Sequence, residues 1–129
     1  MSQNADNVGS VVARQILNPA SAANTAAATS GSGLWADTQD LEGTLDVIQA
    51  VGAVTGSITG KLQVADDANG TGAADVTGAT FTAVSSANNV QSISVSKNAL
   101  AKRYIGYVGT IVTGPAVVGV TVLGAKKYV

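Results

Sequence analysis

Four carboxylates lie within ten residues of one another, and a pair of carboxylates is what glycoside hydrolysis requires. They are Asp37, Asp40, Glu42 and Asp46. A catalytic pair must usually come from separate elements that frame a cleft, with one carboxylate on each side of the scissile bond. Because all four surround the start of a single predicted strand, the sequence argues against glycosidase chemistry.

A serine nucleophile would need a base other than histidine, because the chain contains neither His nor Cys. Ser94 and Lys97 have the Ser-x-x-Lys spacing in which a lysine sits near the nucleophile. They lie where a predicted strand runs into a loop, not at the start of a helix, and the accompanying motifs are missing. The same absences remove thiol nucleophiles, disulfides and the usual zinc ligands. We therefore expect no catalytic residue and no enzyme.

An acidic loop raises the question of a cation site. The spacing Asp67-x-Asn69 resembles the start of a calcium-binding loop, but Gly78 stands where the bidentate glutamate belongs. A loose site made from Asp66, Asp67, Asn69 and Asp75 is one interpretation. A solvated loop with an Asn-Gly turn is the other, and we favour it. We predict no metal and no cofactor.

Composition favours a single small β domain. The chain has 129 residues, of which 46% are hydrophobic, 4% aromatic and only 12% charged. A core built from so few aromatics must use small aliphatic and β-branched side chains, so we expect added support from oligomerisation or docking. No stretch is a membrane span, because glycines, threonines and a proline interrupt the most apolar region, 104–123.

Charge divides unevenly along the chain. All eight acidic residues lie in residues 1–75, and five of the seven cations lie in residues 76–129. We expect the two halves to neutralise each other on one mixed surface. The alternative is a head-to-tail contact between subunits, or an acidic face that meets a basic partner. The net charge of -1 and the scattered cations argue against a nucleic-acid partner.

Hydrophobic residues alternate with polar ones from Trp35 onward, which indicates half-buried strands. We expect the first two strands to pair as a hairpin, a long polar loop over 66–78, and a last hairpin turning at 113–115. A helical turn or two is tolerated over 96–102. Short strands separated by turns predict an all-β, antiparallel, jelly-roll-like sandwich over residues 34–129. The strands are predicted over 41–51, 58–64, 80–84, 90–96, 102–112 and 117–123.

Residues 1–33 are predicted to form an extended N-terminal arm, because the stretch 20–33 is almost wholly Ala, Ser, Thr, Asn and Gly. The apolar residues of this arm are expected to anchor it on a neighbouring subunit, with a free tail as the alternative. Trp35, the only tryptophan, is interpreted either as a plug sealing one end of the sandwich or as an interface anchor. The apolar arm residues are Val11, Val12, Ile16 and Leu17.

The order of several segments resembles the small virion proteins of tailed bacteriophages, which are encoded beside the major capsid protein and include head decoration, or cement, proteins. The resemblance covers residues 33–129. The segments that carry it are Gly33-Leu-Trp35, Asp40-Leu-Glu-Gly43, Val51-Gly-Ala-Val-Thr-Gly56, Asp66-Asp-Ala-Asn-Gly70, Thr80-Phe81, Lys102-Arg-Tyr-Ile-Gly-Tyr-Val-Gly-Thr110 and Val122-Leu-Gly-Ala-Lys-Lys-Tyr128.

The resemblance implies a cement protein that assembles in the host cytoplasm, binds the outer capsid surface of the virion and bridges capsomers. Its partners would be the major capsid protein and further copies of itself, as a dimer or trimer, with no nucleic acid and no membrane. In that case the arm reaches across a capsomer boundary, and deleting residues 2–28 abolishes capsid binding while the domain stays folded. The alternatives are a neck or tail structural protein and a carbohydrate-binding module on a virion surface.

Overall fold

A computed structural model describes residues 11–22 and 28–126, in which nine strands are joined by turns. Its only helix in these ranges is a single 3₁₀ turn, Lys97–Ala99, inside the region where the sequence tolerated a helical turn. No helix of the described residues has the length and apolarity needed to cross a membrane. The strands are β1 Val11–Ala22, β2 Ala28–Thr29, β3 Ala36–Asp37, β4 Leu41–Val54, β5 Ser57–Ala65, β6 Ala74–Thr80, β7 Asn89–Ser96, β8 Tyr104–Val112 and β9 Ala116–Lys126.

The strands form two antiparallel sheets with jelly-roll topology. One sheet has the order β1-β9-β4-β7, and the other has the order β2-β8-β5-β6, with β3 also paired to β8. The pairs nest: β1 with β9, β2 and β3 with β8, β4 with β7, and β5 with β6. A chain folded into such nested pairs and rolled over itself is a jelly roll. The predicted all-β, jelly-roll-like antiparallel sandwich is confirmed.

The two predicted hairpins are wrong, because the members of each lie in opposite sheets. After β4 the chain crosses to the other sheet and continues as β5, and after β8 it crosses back and continues as β9. The crossing turns pack against each other: the Thr55 N–H donates to the Pro115 carbonyl at 3.1 Å. A Cβ on Gly56 would collide with the carbonyl oxygens of Val112 and Thr113, so only glycine lets the two turns pass this closely.

The region predicted as a long loop contains most of strand β6. Its alternation is hidden because Gly78 adopts a φ of +75° and the pairing with β5 slips between Lys61 and Gln63. Of the strand predicted over 80–84, Thr80 ends β6 and Val84 forms a single bridge with Ile58. An irregular edge strand thus gave no periodic signal.

The sequence predicts an arm over residues 1–33, but in the structure Val11–Ala22 is strand β1, paired along β9. The inward side chains of β9 belong to the core. β1 pairs beside β9 and packs against these side chains, which closes that side of the core. Ile16 of β1 is fully buried among them. Residues 1–10 and 23–27 of the predicted arm lie outside the described residues.

The core between the sheets is built mainly from aliphatic side chains, as the composition predicts. Inward positions on β4 and β9 alternate with outward ones, which is the period-two pattern of a half-buried sheet. Phe81 and Tyr107 are the aromatic pair of this core, with ring centroids 6.1 Å apart. Its largest fully buried side chains include Tyr107, Ile16, Leu41, Leu45, Ile58, Leu62 and Ile105.

Candidate functional site: an uncharged end with an apolar groove

The two ends of the sandwich differ in charge. At one end lie the connections β4–β5 (55–56), β6–β7 (81–88) and β8–β9 (113–115), and none of them contains a charged residue. We call this the uncharged end. Around it the chain is free of Asp, Glu, Lys and Arg over 47–60, 76–96 and 104–125. The ionic side chains of the described residues therefore lie toward mid-strand or at the opposite, charged end.

At the charged end the acids of the first half meet cations, as the mixed-surface interpretation predicts. Arg103 donates from Nε and Nη2 to the two carboxylate oxygens of Asp37, at 2.8 and 2.5 Å. Arg14 contacts Asp40 at 3.1 Å. The hydrogen bonds from Arg103 hold the pKa of Asp37 below its usual value, and those from Arg14 do the same for the pKa of Asp40. These carboxylates serve ion pairs and do not face each other across a cleft.

The acidic loop does not gather its oxygens. Asp66 faces Lys102 at 3.4 Å, whereas Asp75 faces Lys61 at 3.0 Å. A side-chain hydrogen bond with Thr71 and the backbone N–H groups of Thr71 and Asn69 lower the pKa of Asp67. Within residues 11–22 and 28–126 no group of three acidic side chains converges as a cation would need.

The Ser-x-x-Lys spacing has no nucleophile geometry. Ser94 Oγ donates to Asp46 Oδ1 at 2.7 Å, and the two residues face each other across β7 and β4. Lys97 starts the 3₁₀ turn beyond the end of β7. The serine hydroxyl therefore serves a cross-strand hydrogen bond.

An apolar groove of about 450 Å³ lies on the outer face of the sheet β1-β9-β4-β7, next to the uncharged end. Its floor and walls include Pro19, Ile48, Ala50, Val90 and Val117. Pro19 packs closely against Gly119 of the groove, because an added Cβ there would come within 2.9 Å of the Pro19 ring. An outward sheet face is ordinarily polar, so this concentration of apolar side chains indicates a contact surface.

Two exposed valines lie near the uncharged end, on opposite faces of the sandwich. Val90 on β7 is 69% exposed, and Val112 at the end of β8 is 62% exposed. Sequence reasoning missed both, because a valine inside a strand pattern gives no sign of which face it occupies. The run of uncharged segments was visible in the sequence, but only the topology brings those segments to one end.

The structure places the four predicted arm residues differently from one another. Ile16 is in the core, while Val12 and Leu17 are partly buried against it. Val11 alone is mainly solvent-exposed, at 51%. Ser30 Oγ accepts the Tyr107 N–H and donates to the Ile16 carbonyl, which ties β1 to β8 across the sandwich. In the folded chain these residues hold their own domain together.

Trp35 is a packing residue at the charged end. It is 5% exposed, and its indole N–H donates to the Ser30 carbonyl at 3.3 Å. The ring fills the space left by Gly70 and Gly106, since a Cβ on either glycine would collide with it. These are the contacts of a plug at this end of the sandwich, and the role of Trp35 as an interface anchor stays a prediction.

A buried polar pair crosses the core between the sheets. Gln49 on β4 and Tyr107 on β8 are both fully buried, and the tyrosine hydroxyl donates to Gln49 Oε1. Gln49 Nε2 has no hydrogen-bond partner. Burial raises the pKa of Tyr107, so the hydroxyl keeps its proton. The sequence signal was the lone amide in the inward row Leu45, Val47, Gln49 and Val51.

We predict that substitutions of Tyr107 and Gln49 have non-additive effects on the free energy of unfolding. Tyr107→Phe and Gln49→Met should each lower the free energy of unfolding by about 1 to 3 kcal/mol, because each leaves a buried polar group without its partner. The double variant should unfold close to the wild type, since it removes both groups and the orphan Nε2 with them. Urea unfolding of the four proteins measures the cycle. Additive losses would show that the hydrogen bond contributes no coupling.

No protein-family model matches the sequence, and no curated protein matches it. Among solved structures the chain is similar to a protein from Bacillus endospore appendages, described as a family of disulfide-linked pili, with 16% identity over 91% of this chain and 88% of that one and a TM-score of 0.45. It is also similar to YomS, derived from the SPBc2 prophage, with 10% identity over 90% and 93% and a TM-score of 0.48.

A third similar structure is that of infectious bursal disease virus, Gx strain. The identity is 10%, the match covers 92% of this chain and 32% of that chain, and the TM-score is 0.45. This chain therefore spans about a third of the viral chain's length. At such identities these likenesses concern the fold alone, and a jelly roll hosts many unrelated functions.

Proposed function

We propose that this chain is a head decoration protein of a tailed bacteriophage, which binds the outer surface of the shell and stabilises it by bridging capsomers. The observation that carries the proposal is the uncharged end, which bears exposed Val112 and adjoins an apolar groove with no charged residue in its lining. The buried centres of protein interfaces are depleted in charge, so this end has the composition of a docking surface. The charged end would face solvent.

The mode of action follows from mass action. A protein that binds only the assembled shell stabilises it by its own binding free energy, and many modest contacts sum over a particle. The fold suits such a task because it is held by side-chain packing without any cysteine. The resemblance of residues 33–129 to small virion proteins supports the same assignment, with the major capsid protein as partner.

Copy number tests the proposal directly. In purified particles of the phage that encodes the chain, quantitative mass spectrometry should find it in amounts comparable to the major capsid protein. A small fraction of that amount would favour the second candidate, a neck or tail structural protein. Absence from the particles would refute both.

A charge placed on the uncharged end tests the docking surface. Val112→Asp should weaken binding to purified shells by on the order of thirtyfold, because it puts a carboxylate into an apolar contact. Asn98→Asp adds the same charge at the charged end, where Asn98 is exposed, and should leave binding unchanged. Cosedimentation with shells measures both variants. Equal binding by Val112→Asp and the wild type would show that another surface docks.

A further inference from the structure

The four edges of the two sheets are not equally protected. An edge strand presents unpaired N–H and C=O groups, and proteins usually blunt it with charge, proline, a bulge or shortness. Among the described residues the edges are β1 and β7 in one sheet, and β6 and the pair β2 and β3 in the other. An edge without such protection can accept a further strand.

Three of the edges carry such protection. β1 contains Arg14 and Pro19, and its pairing with β9 slips twice between Gln15 and Ala20. β6 is bent by Gly78 at positive φ and contains Asp75. β2 and β3 are two residues long each. None of these edges offers a long regular ladder.

The fourth edge, β7, has no such device. Its eight residues, Asn89–Ser96, pair with β4 in unbroken register, and they include no charged residue, proline or glycine. Val90, the most exposed large hydrophobic residue described, lies on this strand. The side-chain amide of Gln91 accepts the Thr82 N–H and donates to the Thr82 carbonyl, both at 2.9 Å, which fixes the connection β6–β7 on the inner side of β7. A strand this regular and uncharged is a site for strand addition.

We propose that β7 is a self-association edge, at which a second copy of this chain adds its own β7 in antiparallel fashion. The two four-stranded sheets would then form one continuous sheet of eight strands about a two-fold axis, and their uncharged ends would point in opposite directions, so that one copy of each dimer faces a shell. The occupant is a second copy pairing through the same strand because the other three edges are protected, and a head-to-tail contact would need one of them. This contact also buries Val90 against the partner strand.

Charge supports the antiparallel arrangement. Lys97 directly follows β7, and Asn88 precedes it at the uncharged end. Antiparallel pairing places the two Lys97 side chains at opposite ends of the joined strands. Parallel pairing would set them side by side, and like charges at neighbouring positions are unfavourable.

The absence of cysteine makes cross-linking a clean test. The outward residues of β7 are each replaced singly, as Val90→Cys, Ser92→Cys, Ser94→Cys and Ser96→Cys, and the variants are oxidised alone and in pairwise mixtures. In an antiparallel pair either one variant or one mixture must bring two thiols directly opposite, so a reducible dimer forms there. Ala13→Cys, an exposed position on the opposite edge of the same sheet, is the control and should stay monomeric.

The association itself is measured by light scattering on the purified wild type, which should have twice the monomer mass. Ser92→Lys should raise the dissociation constant by on the order of tenfold, because it places a charge of the same sign on both paired strands, whereas Ser92→Thr should not. A monomeric wild type would overturn the proposal, as would a dimer that cross-links at Ala13→Cys or at none of the β7 positions. These solution measurements do not depend on shell binding, so they fail separately from the proposed function.

Discussion

Trp35→Ala should lower the free energy of unfolding by about 3 to 5 kcal/mol, because it removes the largest side chain at the charged end. Trp35 is 5% exposed, and its ring is the surface on which the acidic loop rests. A Cβ on Gly70 would come within 2.8 Å of ring atoms Cε2 and Nε1, so the loop backbone contacts the indole directly. Truncation leaves a cavity that neighbouring glycines have no side chains to fill.

Urea unfolding followed by far-UV circular dichroism measures this loss without relying on the fluorescence of the missing tryptophan. Trp35→Phe should lose less, because it keeps an aromatic ring in the same space, although it gives up the hydrogen bond to Ser30. Val11→Ala, at a position that is 51% exposed, is a control for truncation and should change little. An unchanged midpoint for Trp35→Ala, together with lost partner binding, would instead make Trp35 an interface anchor.

The regular strands of the fold could be predicted from the sequence, and their partners could not. β4, β5, β7, β8 and β9 have a buried and a wet face, so their side chains alternate. A turn such as 113–115 has the same residue types whether it closes a hairpin or carries the chain to the other sheet. What decides is the packing of Gly56 against the neighbouring turn, which is a contact between segments distant in sequence.

The missed strands share a physical cause. β2 and β3 are too short to show any period, and β6 is broken by Gly78. The sequence predicts an arm over the residues of β1 because the stretch 20–33 is almost wholly Ala, Ser, Thr, Asn and Gly. β1 also contains Pro19, and its pairing with β9 slips twice, so its apolar and polar residues do not alternate regularly. Proline is tolerated there because β1 is an edge strand.

The position of the candidate site could not be predicted from the sequence. Composition predicted docking or oligomerisation without catalysis, which stays a prediction, and the split of charge along the sequence predicted one mixed surface. In three dimensions the acid Asp37 meets the cation Arg103, so the halves merge at one end. Charged and uncharged residues are separated along the strand direction, because the antiparallel topology brings the uncharged segments together at the other end. Val112 gained significance only from that arrangement.

Ile16→Ala should lower the free energy of unfolding by about 2 to 5 kcal/mol, and Ile16→Val by about 0.5 to 1.5 kcal/mol. Ile16 is fully buried in the core, and its carbonyl accepts the Ser30 hydroxyl, which in turn accepts the Tyr107 N–H. Loss of the side chain therefore affects the packing of both sheets. The same urea titration measures these variants, with Val11→Ala again as the exposed control on β1.

This prediction separates a strand from an arm. An arm anchored on a neighbour contributes nothing to the stability of its own domain, so Ile16→Ala would then leave the midpoint unchanged and weaken only partner binding. In the folded chain described here, β1 covers β9, and deleting residues 2–28 should expose that strand and unfold the domain. Lost shell binding by the deletion variant would then report unfolding. Shell binding is therefore better tested with point variants such as Val112→Asp, whose exposed position leaves the core intact.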